Sequence, residues 1–230
     1  MIKKILILIS LSAISCTSDD VMRSEKSSFY NIYKSIILKE NSSDQEKLEI
    51  KKTLYNREWL SNFSQPIILL SSLDGKKSAT LVALGDYKNK LTWVSADGIS
   101  VSFKNGILIA TRGYSQDLLE SKQTDLNSIF LSSKKKRSKT YRYLNGQNEY
   151  EELSFSCSVK TKKNVGSAFL DMTLNTTKFT EKCEAGTNNH TNEYYVLPNT
   201  NIVLRSKQWI SKANGYIKIH NYYAFQSNLG

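Results

Sequence analysis

Residues 91–118 read LTWVSADGISVSFKNGILIATRGYSQDL, and they carry the clearest structural pattern in the chain. In residues 99–103 (ISVSF), apolar side chains alternate with serines, which is the period of a strand with one buried face. The turn pairs Asp-Gly at 97–98 and Asn-Gly at 105–106 separate the apolar runs, and Asn-Gly favours the type I′ turn of a β-hairpin. The stretch therefore predicts consecutive antiparallel strands, a β-meander.

The same alternation continues on both sides of this stretch, from residue 66 to residue 224. About ten to twelve strands in one chain predict a mainly β fold, an antiparallel meander closing into a barrel-like or sandwich domain. Before residue 66, apolar spacing in 29–38 and a capping box at 43–46 predict two N-terminal helices packed at one end of it. Residues 115–140 break the alternation, and we expect a short helix and then a loop there.

The first 28 residues are predicted to direct export rather than to join the fold. Residues 1–15 combine two lysines with an apolar run, which is typical of a signal peptide and too short to span a bilayer. The following LSAISC resembles a bacterial lipobox, which implies acylation of Cys16, for example with palmitate. Thr17 after that cysteine implies the outer membrane, with the body facing the periplasm. We expect a flexible tether over 16–28 and a single domain over 29–230.

The charge balance favours anionic partners. Thirty-two Lys and Arg against 21 Asp and Glu give a net charge of +11, which suits phosphorylated lipid head groups or acidic polysaccharide. Export argues against nucleic acid. A lysine-rich protein from an AT-rich genome is also basic without any such partner, so charge alone leaves both interpretations open.

Cys157 and Cys183 remain after Cys16 is assigned to lipid. In an oxidising compartment two such cysteines are expected to pair, and closing a loop of about 27 residues stabilises by roughly 3 kcal/mol. Zinc is the alternative, but no CxxC or HxxxH spacing surrounds them. We expect no metal ion and no cofactor.

Two blocks of sequence, in this order behind the lipobox, resemble the YjbF/GfcB (YmcC-like) family of bacterial lipoproteins. The first block consists of Trp93, Ser95, Asp97, Gly98, Gly106, Thr111, Gly113, Asp117 and Leu118. The second consists of Glu181, Cys183, Asn192, Tyr194, Ser206, Gln208, Trp209, Gly215 and Tyr216, with Lys212 in place of the usual proline. The resemblance implies a largely β, barrel-like periplasmic lipoprotein of exopolysaccharide or group 4 capsule production. The signature residues are expected to be structural.

A periplasmic glycan-active enzyme is the alternative function. It requires two carboxylates flanking a glycosidic bond, and the candidates are Asp86, Asp97, Asp117 and Glu181. Asp97 precedes a glycine in a predicted turn, and Asp117 resembles a helix N-cap, so both have structural explanations. His190, in the predicted loop GTNNHTN, belongs to no triad or metal spacing. We therefore predict that the protein is not an enzyme.

Several charged residues are candidates for binding. Arg112 at a strand end suits a carboxylate or phosphate, although a surface ion pair explains it equally well. The run Lys134, Lys135, Lys136 and Arg137 is a solvated loop by default and a candidate contact for anionic lipid or acidic polymer. Trp93 and Trp209 fit the core better than a sugar platform. The sequence predicts a non-catalytic outer-membrane accessory of polysaccharide assembly or export, working with other export proteins.

Overall fold

The structure, a computed structural model, describes residues 60, 65–75, 77–87, 90–123, 130, 136–144 and 149–224. These residues form twelve strands. They are β1 (Ile67–Ser72), β2 (Ser78–Tyr87), β3 (Lys90–Ser95), β4 (Ser100–Lys104), β5 (Ile107–Arg112), β6 (Leu118–Gln123), β7 (Lys136–Leu144), β8 (Tyr150–Phe169), β9 (Met172–Ala185), β10 (Asn188–Val196), β11 (Val203–Ser211) and β12 (Gly215–His220). Within the described residues no helix is long and apolar enough to cross a membrane.

All twelve strands belong to one antiparallel sheet whose order follows the chain. β1 pairs with β2 on one side and with β12 on the other, so the first and last strands join and the sheet curls into a nearly closed barrel. The remaining edges are β5 and β6, which are consecutive in sequence. The predicted mainly β meander is thus confirmed. Because β1 pairs with β12, the sheet forms a barrel rather than a sandwich.

β1 is buried on both faces, which explains its unbroken apolar sequence IILL. Ile68 and Leu70 belong to the apolar cluster inside the barrel. Ile67 and Leu69 pack on the outside. The outer cluster consists of Leu60, Ile67, Leu69, Phe169, Leu204, Tyr222 and Ala224. One stretch of the outer wall is therefore covered by apolar side chains.

Three local expectations were wrong. The predicted helix after residue 115 is instead strand β6, where alternation is short and polar residues occupy the outer face. The alternation that continues through residues 167–174 predicts one strand there, but a turn at 170–171 separates β8 from β9, with Leu170 at a positive φ of 55°. The loop expected around His190 belongs to β10. The two predicted N-terminal helices lie outside the described residues.

The turn between β4 and β5 has the geometry expected of Asn-Gly. Asn105 and Gly106 have φ values of 52° and 76°, and a type I′ turn requires positive φ at both central residues. Gly106 also lies against β11: a Cβ added there would stand 2.8 Å from the Cβ of Val203 and closer still to its Cγ2. A glycine is therefore needed both for the backbone conformation and for the approach of β11.

Gly106→Ala is expected to destabilise the protein more than Gly98→Ala. Both glycines have positive φ, 76° and 88°, so both substitutions incur a similar backbone cost of about 1–2 kcal/mol. Only Gly106 has a neighbour within 4 Å of the added Cβ, which adds about 1–3 kcal/mol of overpacking. Urea unfolding of both variants measures the difference. Adding Val203→Ala should recover part of the Gly106→Ala loss, and equal losses in the two glycine variants would contradict the packing explanation.

Candidate functional site

Where β5 and β6 lie next to each other, side-chain hydrogen bonds take the place of the backbone hydrogen bonds that join paired strands. The hydroxyl of Thr111 donates to Asp117 at 2.9 Å and accepts from the backbone N–H of Leu118 at 2.9 Å. The Asp117 carboxylate also accepts the backbone N–H groups of Gly113 and Tyr114, at 3.0 and 3.1 Å. These bonds satisfy polar groups that an unpaired sheet edge would leave open. We call Thr111, Arg112 and Asp117, with the backbone they bind, the seam.

Asp117 therefore binds the N–H groups of the turn that precedes it, and the predicted helix N-cap role is wrong. Arg112 contributes to the same seam, since its Nη1 donates to the carbonyl oxygens of Thr111 and Leu118, the latter at 3.2 Å. The Arg112 side chain is exposed, and binding of an anion there stays a prediction. Through these hydrogen bonds, the Thr-x-Gly and Asp-Leu signature positions join β5 to β6, the two remaining edges of the barrel.

The two signature blocks meet through Gln208 of β11. Its Oε1 accepts the backbone N–H of Leu108 at 2.8 Å, and its Nε2 donates to the Gly106 carbonyl at 2.8 Å and to Ser206 Oγ at 2.9 Å. Gln208 is 2 % exposed. Because β5 and β11 are far apart in sheet order, this single amide ties opposite walls of the barrel together.

A buried ion pair lies inside the barrel. Lys139 of β7 donates to Glu181 Oε2 of β9 at 3.1 Å, and their side chains are 2 % and 1 % exposed. The same oxygen accepts Asn192 Nδ2 at 2.9 Å and the Tyr194 hydroxyl at 3.3 Å. Asn192 in turn accepts the backbone N–H of Trp209 at 2.8 Å. Four strands are thus connected through one carboxylate.

The protonation states of this pair follow from mutual compensation. Burial acts to lower the pKa of Lys139, but the charge of Glu181 and hydrogen bonds to Tyr141 and Glu181 outweigh it and raise that pKa. Burial acts to raise the pKa of Glu181, yet the charge of Lys139 and the bond from Asn192 hold it below its ordinary value. Both groups are therefore charged at neutral pH, and each depends on the other.

His190 lies beside the ion pair, contrary to the exposed loop predicted for it. Its ring stacks on Trp209 with centroids 4.4 Å apart, and its Nε2 is 3.2 Å from the Tyr141 hydroxyl. Burial, followed by the charge of Lys139, lowers the pKa of His190 to about 4, although Glu181 opposes this. The imidazole is neutral at pH 7, and its Nδ1 has no hydrogen-bond partner among the described residues.

Lowering the pH from 7 to 4.5 is expected to destabilise the protein partly through His190. The unfolded histidine binds a proton near its ordinary pKa of 6.5, whereas the folded one binds it only near a pKa of about 4. The unfolded state therefore gains protons first, and stability falls as the pH drops through this window. His190→Phe keeps an aromatic ring against Trp209 and should lose less stability over the same range. Urea midpoints across the window measure this, and parallel curves for both proteins would contradict it.

Cys157 and Cys183 face each other across β8 and β9 and form a disulfide. Their sulfur atoms and a carboxylate oxygen of Glu181 lie within 4.8 Å of one another. Three such groups resemble a partial metal site, but sulfur atoms joined in a disulfide supply no thiolate ligand. The group acts instead as a covalent link beside the ion pair.

The four carboxylates considered for glycan chemistry do not all lie together, although Asp97 and Asp117 both lie near Tyr114, where burial and then the charges of Asp117 and Asp97 raise the pKa of the tyrosine hydroxyl to about 12. Asp97 is exposed in its turn and accepts the Ser95 hydroxyl. Asp117 belongs to the seam, and Glu181 is buried against Lys139. Asp86 is a residue of β2, but its side chain lies outside the described residues. Asp117 and Glu181 are thus each held by hydrogen bonds or an ion pair within the protein.

The basic run is divided by the structure. Lys134 and Lys135 lie outside the described residues, whereas Lys136 and Arg137 begin β7 and are not in a loop. Successive strand residues point to opposite faces, so Lys136 is exposed outside while Arg137 is on the side of the buried Lys139. Lys136 and Arg137 therefore lie on opposite faces of β7, and binding of an anion by the run stays a prediction.

Sequence reasoning missed the interior role of Lys139 and the outward lysines of β8 and β9. The available signal was alternation. In KRSKTYRYL, Lys139 occupies the same face as Tyr141 and Tyr143, which are 1 % exposed. Trp93 and Trp209 are 3 % and 8 % exposed, so both are part of the core rather than an open sugar platform.

Comparison with known proteins places this geometry in a family. The family model described as group 4 capsule polysaccharide lipoprotein gfcB, YjbF, matches residues 45–221, which include the whole barrel. The chain belongs to the YjbF family. The family expected from the two sequence blocks is thereby confirmed, and with it the description of the chain as a capsule-associated lipoprotein of the cell envelope.

A solved structure supports the fold assignment. The hypothetical lipoprotein YmcC from Escherichia coli (K12) superposes with a TM-score of 0.62 at 14 % identity, over 75 % of this chain and 92 % of that one. At this identity the likeness concerns the fold. A search of curated proteins gives no significant match.

Proposed function

We propose that this YjbF-family protein is a non-catalytic accessory of exopolysaccharide or group 4 capsule assembly or export. The observation that carries the proposal is the match of the family model over residues 45–221. The family description supports the process, polysaccharide assembly or export. The chemistry of the described residues supports the accessory, non-catalytic role.

The inside of the barrel supports a structural rather than a catalytic role. It is filled by aromatic side chains in mutual contact: Tyr141, Tyr143, Phe155, His190 and Trp209. The buried charges of Lys139 and Glu181 are neutralised by each other, which leaves neither as a free acid or base. Within the described residues these side chains occupy the inside of the barrel, which favours its outer surface as the part that contacts other molecules.

The proposed place of action is the periplasmic side of the outer membrane. Residues 1–15 are removed as a signal peptide in this proposal, Cys16 is acylated, and residues 16–28 form the tether to one domain over 29–230. These segments lie outside the described residues, and the support comes from the lipobox-like sequence and the lipoprotein family. Partners are other export proteins and the polysaccharide itself.

Deleting the gene in the source bacterium is expected to lower the amount of polysaccharide at the cell surface. The wild-type gene should restore it, whereas Cys16→Ser should not, because the unacylated chain loses its membrane anchor. Surface polysaccharide is measured by uronic acid or antibody assay of intact cells. Unchanged surface polysaccharide in the deletion strain would refute the proposed process.

The enzymatic alternative makes a different prediction. A glycan-active enzyme would release reducing ends from the purified surface polymer, and substitution of its acid would abolish that release. We expect no release from wild-type protein. Release that Asp97→Asn abolishes would replace the accessory role with catalysis.

A further inference from the structure

The outer wall of the barrel between β7 and β12 carries three rows of basic side chains. Strand register defines each row, since residues paired across an antiparallel sheet share a face. The first row is Lys136, Ser158, Lys182 and Thr191. The second is Lys160, Thr180, Glu193, Lys207 and Lys218. The third is Lys162, Lys178, Tyr195 and Arg205. We call the eight lysine and arginine side chains of these rows the basic face.

Acidic side chains scarcely offset this charge. Glu193 is the one carboxylate in the three rows, and it is bound to Lys178 at 2.8 Å. Within the described residues, the exposed Lys136, Lys160, Lys162 and Lys182 have no carboxylate partner. With eight cations and one carboxylate in the three rows, the basic face carries a net positive charge.

Aromatic rings hold part of the basic face in place. Arg205 lies over the Tyr195 ring at 4.1 Å, and Lys178 lies 5.3 Å from the same centroid. Lys207 lies over the Tyr216 ring at 4.6 Å. Such cation–π contacts restrict the cations without neutralising them, so less side-chain entropy is lost when an anion binds.

We propose that the basic face binds an acidic polysaccharide chain laid across the strands. Neighbouring strands lie about 4.8 Å apart, so the second row, from β8 to β12, extends for roughly 20 Å, the scale of several linked sugars. Hydroxyl groups of Ser158, Thr180 and Thr191 lie between the cations and suit the hydroxyls of sugars. The inference rests on the proposed role in polysaccharide production and identifies the surface that performs it.

A linear polymer fits this surface better than an anionic membrane does. Proteins that lie on bilayers combine cations with exposed apolar side chains that enter the acyl boundary. The exposed large hydrophobic residues of the described chain are not members of the three rows: Leu73, Leu84, Leu144, Tyr150 and Tyr223. Of these, Leu73 adjoins the rows, since its carbonyl accepts from Lys218 at 2.6 Å. The basic face offers charge and hydroxyl groups, which is the chemistry of a hydrated polyanion.

The test compares two triple variants of the full chain, purified in neutral detergent. The first neutralises three unpaired lysines of the basic face: K160Q, K162Q and K182Q. The control neutralises three exposed lysines outside it: K77Q, K90Q and K212Q. Both variants change the net charge equally. The probes are polygalacturonate, neutral dextran, and phosphatidylcholine vesicles with or without phosphatidylglycerol.

Wild-type protein and the control are expected to bind polygalacturonate but not dextran. The basic-face variant should bind polygalacturonate at least roughly tenfold more weakly. Its affinity should also depend less steeply on salt, because fewer counterions are released. Equal weakening in both triple variants would show that net charge alone is responsible and would overturn the proposal. Binding to phosphatidylglycerol vesicles without binding to polygalacturonate would also overturn it, in favour of a membrane contact.

The result is separable from the test of the proposed function. Loss of surface polysaccharide on gene deletion, with no binding to polygalacturonate, would keep the accessory role and refute the binding surface. If deletion leaves surface polysaccharide normal but polygalacturonate binding depends on the basic face, the binding surface is kept and the accessory role is refuted.

Discussion

Lys139→Met is expected to lower the free energy of unfolding by about 3–5 kcal/mol, because it leaves the buried carboxylate of Glu181 without its counter-charge. Glu181 is 1 % exposed and cannot be hydrated in place of the lost bond. Urea unfolding at pH 7 measures the loss. At a pH near 4 the loss should be smaller, since an unpaired buried carboxyl binds a proton more readily and becomes neutral.

The double variant Lys139→Met/Glu181→Gln separates the charge from the packing. It removes both charges but keeps an acceptor oxygen for Asn192 and Tyr194. We expect the double variant to be more stable than Lys139→Met alone, because no uncompensated charge remains. Strict additivity of the two single losses would contradict a direct interaction between Lys139 and Glu181.

Lys178 and Glu193 provide a matched control. Their bond is shorter than that of the buried pair, 2.8 against 3.1 Å, but their side chains are 25 % and 27 % exposed. Lys178→Met is expected to cost only about 0.2–1 kcal/mol, since water and salt screen the remaining charge. Burial rather than distance decides the ranking, and a larger loss at Lys178 than at Lys139 would refute this.

Removing the disulfide is also expected to have a large effect. Cys157→Ala/Cys183→Ala should lower the free energy of unfolding by about 3 kcal/mol, because the unfolded chain loses a loop constraint over a separation of 26 residues. For a domain of this size that corresponds to a fall in Tm of roughly 6–12 °C. Calorimetry of the variant and of wild-type protein measures it.

Reductant supplies the control for the cysteine variant. Wild-type protein unfolded under strong reducing conditions should approach the stability of the double variant, whereas the double variant should not respond. Mass analysis of a non-reducing digest should find Cys157 linked to Cys183. Free thiols at these positions, or a wild-type stability that does not change when reductant is added, would contradict the structural role of the disulfide.

Local pattern predicted much of the fold because local pattern determines strands and turns. Alternation in residues 99–103 and Asn-Gly at 105–106 specify a hairpin without reference to the remaining chain. The same reasoning failed in residues 118–123, where LLESKQ has too few apolar residues to separate a strand from a helix. There the seam decides: Thr111 and Asp117 hold the start of β6 beside β5.

The candidate site was less predictable because its parts come from distant segments. Alternation puts Lys139 on one face of β7 but does not say whether that face lies inside or outside. Only the pairing and curvature of β7, β8 and β9 bring Lys139 to Glu181, 42 residues away in sequence. The exposed lysines of β8 and β9 become one surface with Lys207 for the same reason.

By itself the sequence determined most of the strands and turns, the family and the pairing partners of the cysteines. These follow from periodicity, from glycine and asparagine at positive φ, and from motifs contained in short segments. The tertiary structure decided which charges are buried and which form the basic face. Burial depends on the side chains that distant strands bring to the same point, and no local pattern encodes that.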